Sequence, residues 1–273
     1  DWKDPSYYHV IKGQPVKLIS MNHDGVRATE RDDEPFAFLA LGSSSTFSAE
    51  VDDNVAWPQL TAEDIRMKVG SDAIWIGNAG RGGMNTVHNI MQLRYLVPRL
   101  NLTGVILNPG LNDANYFARH GHLPVLEEGE NGNLKRSYIE AFPLPAIDRM
   151  IQMENDHGWL HKTYTYQFAQ EFILQFVEPA LRVAGEKLFP STTLAARRKE
   201  FQERDDRDAV VAQIEKKYAG VFRQLVREAL QMDLEVIVVN CPPHDGELML
   251  KAINRAIAQV CREENVPLFD VES

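Results

Sequence analysis

Phe38-Leu39-Ala40-Leu41 is a short apolar run that stops at Gly42 and is followed at once by Ser43-Ser44-Ser45-Thr46. A buried strand ending in a sharp turn leaves a serine exposed at its C-terminal edge, and in an open α/β sheet that edge is where ligands bind. Serine-rich turns are ordinarily only turns, so the segment gains its meaning from two later ones. Ala73-Ile74-Trp75-Ile76 runs into Gly77-Asn78-Ala79-Gly80-Arg81-Gly82-Gly83, and Gly104-Val105-Ile106-Leu107 runs into Asn108-Pro109-Gly110-Leu111-Asn112-Asp113. Three consecutive strands thus deliver, in chain order, a serine, a glycine cluster and a Gly-x-Asn-Asp. Together these types suit acyl chemistry. A serine attacking an acyl carbon builds an oxyanion, which needs preorganised N–H donors. Glycine lets a backbone N–H come close because no Cβ stands in the way, and an asparagine amide adds a donor of fixed geometry.

The segments Gly42–Thr46, Asn78–Gly83 and Gly110–Asp113 resemble the first three blocks of the SGNH (GDSL-like) hydrolase superfamily. The lead-in Asn22-His23-Asp24-Gly25-Val26-Arg27 and Trp57-Pro58 resemble bacterial members of the same group. The resemblance covers residues 20–117, and residues 206–273 in layout only. It implies Ser44 as nucleophile, Gly83 as the oxyanion glycine and Asn112 as the oxyanion asparagine, with no cofactor and no metal. The closing block of the family is Asp-x-x-His, which supplies the triad acid and base. No such block occurs near the C-terminal end, and the last histidine, His244, directly follows a strand. The expectation is that several tens of residues beyond Ser273 carry the aspartate, the histidine and a closing helix. A chain ending there would be a degenerate member or would recruit a base from elsewhere. The chain opens at Asp1 without a methionine, which points to a removed or missing N-terminus. Relatives with this lead-in often carry an N-terminal membrane anchor or export signal, so the resemblance implies a periplasmic or cell-surface location.

The elements that must position these residues are also readable. Strands are expected near 36–42, 73–79, 104–109, 234–240 and 266–271. That pattern gives a three-layer α/β/α sandwich around a mostly parallel five-stranded sheet, flavodoxin-like in order. Leu234–Val239 is a continuous β-branched run, as a buried parallel strand requires. Asp206–Met232 reads as a helix, with Val210, Ile214, Tyr218, Val221, Leu225 and Ala229 at three- and four-residue spacing and Asp205 or Asp206 as N-cap. A second helix spans about 247–264 and carries Leu250, Ile253, Ile257 and Val260 on one face. Residues 1–35 form a lead-in to the domain at 36–273, and 118–205 read as a helical insertion between the third and fourth strands. Within it, 127–133 is a polar loop, 146–155 and 165–188 are helices, the second broken at Pro179, and 194–204 is a charged helix or linker. Such an insertion suits a lid or one wall of a cleft.

Other candidates have two readings each. Arg81, inside the glycine turn, either binds a carboxylate or other anion on the substrate or pairs with Asp113. His120 and His122 flank Gly121 after the third block, and either touch substrate or are solvated. Asp113 holds the turn after Asn112. Ser43 and Ser45 are turn formers. The cluster His157–Tyr164 either lines a sugar cleft or connects helices; His157 and His161 lack the intervening glutamate of a metalloprotease. Cys241 and Cys261 read as two buried thiols. The net charge of −10 over 273 residues argues against nucleic acid as a partner, and no signal peptide or membrane span is evident. The expected activity is hydrolysis of a small-molecule or glycan ester, for instance an acetyl group on a polysaccharide. The alternatives are an O-acyltransferase on the same residues and a non-catalytic binding module without the acid–base pair. A flavodoxin-like phosphate binder is disfavoured because Gly-x-Asn-Asp has no role in it.

Overall fold

The computed structural model describes residues 6–9, 17–31, 34–48, 51–69, 73–126, 201, 203, 205–243 and 247–271. A hairpin of β1 (Ser6–His9) and β2 (Lys17–Ser20) stands apart from the main sheet. The main sheet holds β3 (Phe36–Gly42), β4 (Ile74–Asn78), β5 (Gly104–Asn108), β6 (Glu235–Val239) and β7 (Leu268–Phe269). Its order is β4-β3-β5-β6-β7 and every pairing is parallel. The five expected strands are therefore all present, in flavodoxin-like order, and β3 occupies an interior position between the two strands that carry the other candidate blocks.

Six α-helices, α1 (Ser44–Phe47), α2 (Trp57–Val69), α3 (Thr86–Tyr95), α4 (Leu111–His120), α5 (Arg207–Gln231) and α6 (Leu248–Glu263), and two short 3-10 helices at Asp53–Val55 and Val97–Arg99 complete the described part. The two-residue period of a strand sends alternate side chains to opposite faces. Leu39, Leu41, Trp75, Val105, Leu107, Val236 and Val238 share one cluster with the apolar faces of α3, α5 and α6. Ala40, Ile76 and Ile106 face the other way, against Ala62 of α2. Helices thus lie on both faces, and among the described residues the first face carries much the larger core. A bidentate pair, Arg94 Nε to Glu228 Oε2 at 2.7 Å and Nη2 to Oε1 at 2.6 Å, pins α3 to α5.

The expected C-terminal helices agree with the observed spans to within a residue. Asp206 does take the N-cap position of α5, but its side chain makes no capping bond there. The expected insertion falls largely outside the described residues, including the loop 127–133, the helices at 146–155 and 165–188, Pro179 and the His157–Tyr164 cluster; His244 does too. From that region Phe201 is buried, with its ring edge-on to Phe117 at 6.1 Å. Among the described residues no helix is long and apolar enough to cross a membrane.

Phe222 lies fully buried in the larger core. Phe222→Ala should lower the unfolding free energy by about 3–5 kcal/mol in a denaturant titration. Leu60→Ala, on the exposed side of α2, should change it by less than about 0.5 kcal/mol.

Candidate active site

Three turns leave the C-terminal ends of adjacent strands β4, β3 and β5. The first follows β3. Its sharpness requires Gly42, because a Cβ there would stand 2.0 Å from Thr46 Oγ1 and 3.0 Å from the Asn108 carbonyl oxygen. Ser43 takes extended backbone angles as the N-cap, and its carbonyl accepts the N–H groups of Thr46 at 3.1 Å and Phe47 at 2.9 Å. Those bonds build α1 and leave Ser44 exposed at its first position, where a backbone N–H has no intrahelical acceptor. Among the described residues the Ser44 hydroxyl has no hydrogen-bond partner.

Buried asparagines lace this turn to its neighbours. Asn108, at the end of β5, accepts through Oδ1 from Ser45 Oγ at 3.0 Å and Thr46 Oγ1 at 3.2 Å, and donates through Nδ2 to the Val239 carbonyl at 3.0 Å. The Cys241 thiol, pushed up in pKa by burial, also points at Asn108 Oδ1 from 3.8 Å. Asn78, at the end of β4, donates to the Thr46 carbonyl at 2.7 Å and accepts the Gly80 N–H at 3.0 Å. The glycine turn therefore packs onto the serine turn, with Arg81 N–H 3.4 Å from the Gly42 carbonyl.

Gly83 is the exposed tip of the second turn, with φ +84°. A Cβ there would meet open space, so the glycine serves conformation and not packing. Met84 follows, and its carbonyl accepts Asn112 Nδ2 at 2.7 Å. Asn112 thus joins the start of α4 to the residue after Gly83. Asp113 is fully buried and accepts from the Thr86 hydroxyl at 2.9 Å and from the Thr86 N–H. Thr86 Oγ1 in turn lies 2.8 Å from the Tyr218 hydroxyl, which donates to it when Thr86 donates to Asp113. Asp113 therefore ties the starts of α3 and α4 together, and its carboxylate is taken up by Thr86 and not by Arg81. Burial pushes the Asp113 carboxyl up to about 7, against the lowering pull of the Thr86 hydrogen bonds.

The remaining candidates lie elsewhere or serve packing. His120 is the last residue of α4, eight residues and about 12 Å of helix rise beyond Asn112, and His122 follows the left-handed cap Gly121. Their rings pack on Tyr116, with centroids at 4.3 and 5.6 Å, and His122 Nδ1 lies 3.0 Å from the Leu123 carbonyl. Cys241 and Cys261 are free and buried. Among the described residues no group of three or more His, Cys, Asp or Glu side chains is placed to share a metal ion. Asn78, Asn108, Thr86 and Tyr218 were not singled out from sequence. The signal for the two asparagines was present, since each is a polar residue closing an apolar strand. Tyr218 carried no signal beyond its helical spacing.

No protein-family model matches the chain, and no curated protein matches it. Among solved structures it is similar to the acetyl xylan esterase AlAXEase, at 13% identity over 86% of this chain and 77% of that one, with a TM-score of 0.46. It is similar to the psychrotrophic esterase EstA from Pseudoalteromonas sp., at 13% identity over 86% and 76%, TM-score 0.43. It is also similar to AlinE4, an SGNH-hydrolase family esterase, at 12% identity over 87% and 77%, TM-score 0.43. The functional reading therefore rests on the site's own geometry.

The buried Asp113 sets a pH dependence whose sign follows from linkage. Its carboxyl titrates near 3.8 when exposed and at about 7 when folded. Between those values the folded state keeps a proton that the unfolded chain has released, so raising the pH favours unfolding. Asp113 thus stabilises most below about pH 4, and that contribution is lost by about pH 7. Denaturant titrations across this range should show Asp113→Asn gaining stability relative to the parent as pH rises. A constant difference would show that Asp113 is not protonated in the folded protein.

Proposed function

We propose that the chain is a serine hydrolase of the SGNH type acting on carboxylic esters. The observation that supports this reading is the convergence of three turns at one sheet edge: an exposed serine on the interior strand β3, a positive-φ glycine on one neighbour and an asparagine on the other. Ser44 Oγ attacks the acyl carbon and forms a C–O bond as the carbonyl π pair moves onto oxygen. The Ser44 N–H, the Gly83 N–H and the second Asn112 Nδ2 hydrogen receive that oxyanion. The hydroxyl proton would pass to the histidine of an Asp-x-x-His block, which residues 1–273 do not contain, and from it to the departing alcohol. Water reverses the sequence and releases the acid. In this reading Asn112 is preorganised, because its bond to Met84 O fixes the amide before substrate arrives.

Intact-protein mass spectrometry after incubation with a fluorophosphonate probe tests the assignment. One probe increment is expected, with fluoride displaced by Ser44 Oγ, and Ser44→Ala should show none. Asn112→Ala should lower kcat on p-nitrophenyl acetate by about 10²–10³-fold with little change in KM. A parent protein that takes no label would set aside catalysis in favour of a binding module that keeps the cleft alone.

A further inference from the structure

A single helical turn cannot hold itself, because one or two hydrogen bonds do not offset the entropy of fixing its dihedrals. Helix α1, which presents Ser44, is four residues long. Its geometry must be imposed from outside, and its far end shows how. The carbonyls of Phe47 and Ser48 and, farther along, Val51 all turn toward one side chain, Arg27. Its Nη1 donates to the carbonyls of Phe47 and Ser48, the latter at 2.9 Å, and its Nη2 donates to the Val51 carbonyl at 2.7 Å. Its Nε is held by Asp53 Oδ1 at 2.7 Å, and the Phe47 ring lies 5.5 Å from the guanidinium carbon.

Arg27 is fully buried. A cation so placed is tolerated only when paired and hydrogen-bonded, and here four of the five N–H donors of the planar fork are used. Its own backbone is fixed as well. Arg27 N–H donates to the Asn78 carbonyl at 3.0 Å, Asn78 N–H returns a bond at 3.2 Å, and Gln59 Nε2 donates to the Arg27 carbonyl at 2.9 Å. Asn78 itself holds the Thr46 carbonyl. The base of α1 is thus anchored to the end of β4, the strand that also leads into the turn bearing Gly83.

We infer that Arg27 is a positioning residue for Ser44: it clamps the carbonyls at the exit of α1 and so fixes the hydroxyl relative to the oxyanion donors. This rests on the hydrolase reading for its catalytic consequence, but not for the clamp itself. Lysine cannot replace it, because an ammonium is a point donor and not a fork that spans three carbonyls and a carboxylate. Arg31 provides an internal comparison. It also caps carbonyls, those of Leu100 and Asn101, but on a turn at the opposite end of the sheet.

The test compares the full-length protein with Arg27→Lys, Arg27→Met and Arg31→Lys. Two readouts are taken: amide hydrogen exchange over peptides covering 43–51, and kinetics on p-nitrophenyl acetate with the rate of fluorophosphonate labelling. Both Arg27 variants should exchange faster at 43–51. Their kcat and labelling rate should fall by about 10- to 100-fold at nearly constant KM, as expected when a reacting group is displaced by a fraction of an ångström to an ångström. Arg31→Lys should lower the melting temperature without moving either readout. Unchanged protection at 43–51 in Arg27→Lys overturns the clamp, whether or not Ser44 reacts. Faster exchange with unchanged kcat overturns its role in positioning Ser44. If the parent protein takes no label, the hydrolase reading fails, and the exchange data still decide whether Arg27 holds the turn.

Discussion

Two asparagine side chains buried at the ends of β4 and β5 hold the sheet edge together. Asn78 and Asn108 each reach sideways from a neighbouring strand into the turn after β3. A primary amide is suited to this because it offers donor and acceptor within one rigid plane. Each asparagine uses both, so neither turn can shift without leaving a buried polar group unpaired, which is costly in a low-dielectric interior. The serine turn, the glycine turn and the start of α4 therefore behave as one rigid body. A site whose donors must already be in place when charge develops requires that rigidity.

The same logic explains the division between Asn112 and Asp113, which are adjacent but have opposite surroundings. Asn112 is half-exposed and holds the tip of the second turn, whereas Asp113 is fully buried and bonds to Thr86 beneath it. In the proposed reading one provides the reacting surface and the other the foundation. The foundation continues through the Thr86 hydroxyl to Tyr218 on α5, so the site is tied to the core helix that follows the long middle segment.

Periodicity and strand endings were enough to read the sheet from the sequence. Continuous apolar runs such as Leu234–Val239 leave little choice but a buried parallel strand, and the amphipathic spacing of α5 and α6 left their ends uncertain by about one residue. The turn residues were legible because glycine and asparagine have local conformational reasons to be where they are. Arg27 was not legible as part of the site. Its partners at 47–53 are local neither to it nor to one another in any repeating pattern, and only the fold brings them to one guanidinium. The hairpin at Ser6–Ser20 was hidden because its strands are four residues each, too short for an alternation to stand out.

The unequal faces of the sheet have a consequence for how the molecule opens. Local unfolding follows buried apolar contact, and units with little of it separate first. Among the described residues the α2 side rests on a far smaller cluster than the side carrying α3, α5 and α6. The segment that Arg27 grips, 47–53, is the connection from α1 into that thinner layer. The Ser44 turn thus joins the layer that supplies Asn108 and Asn112 to the thinner one that carries α2. Motion of α2 would therefore reach the serine turn through Phe47–Asp53, the stretch that Arg27 braces against the end of β4.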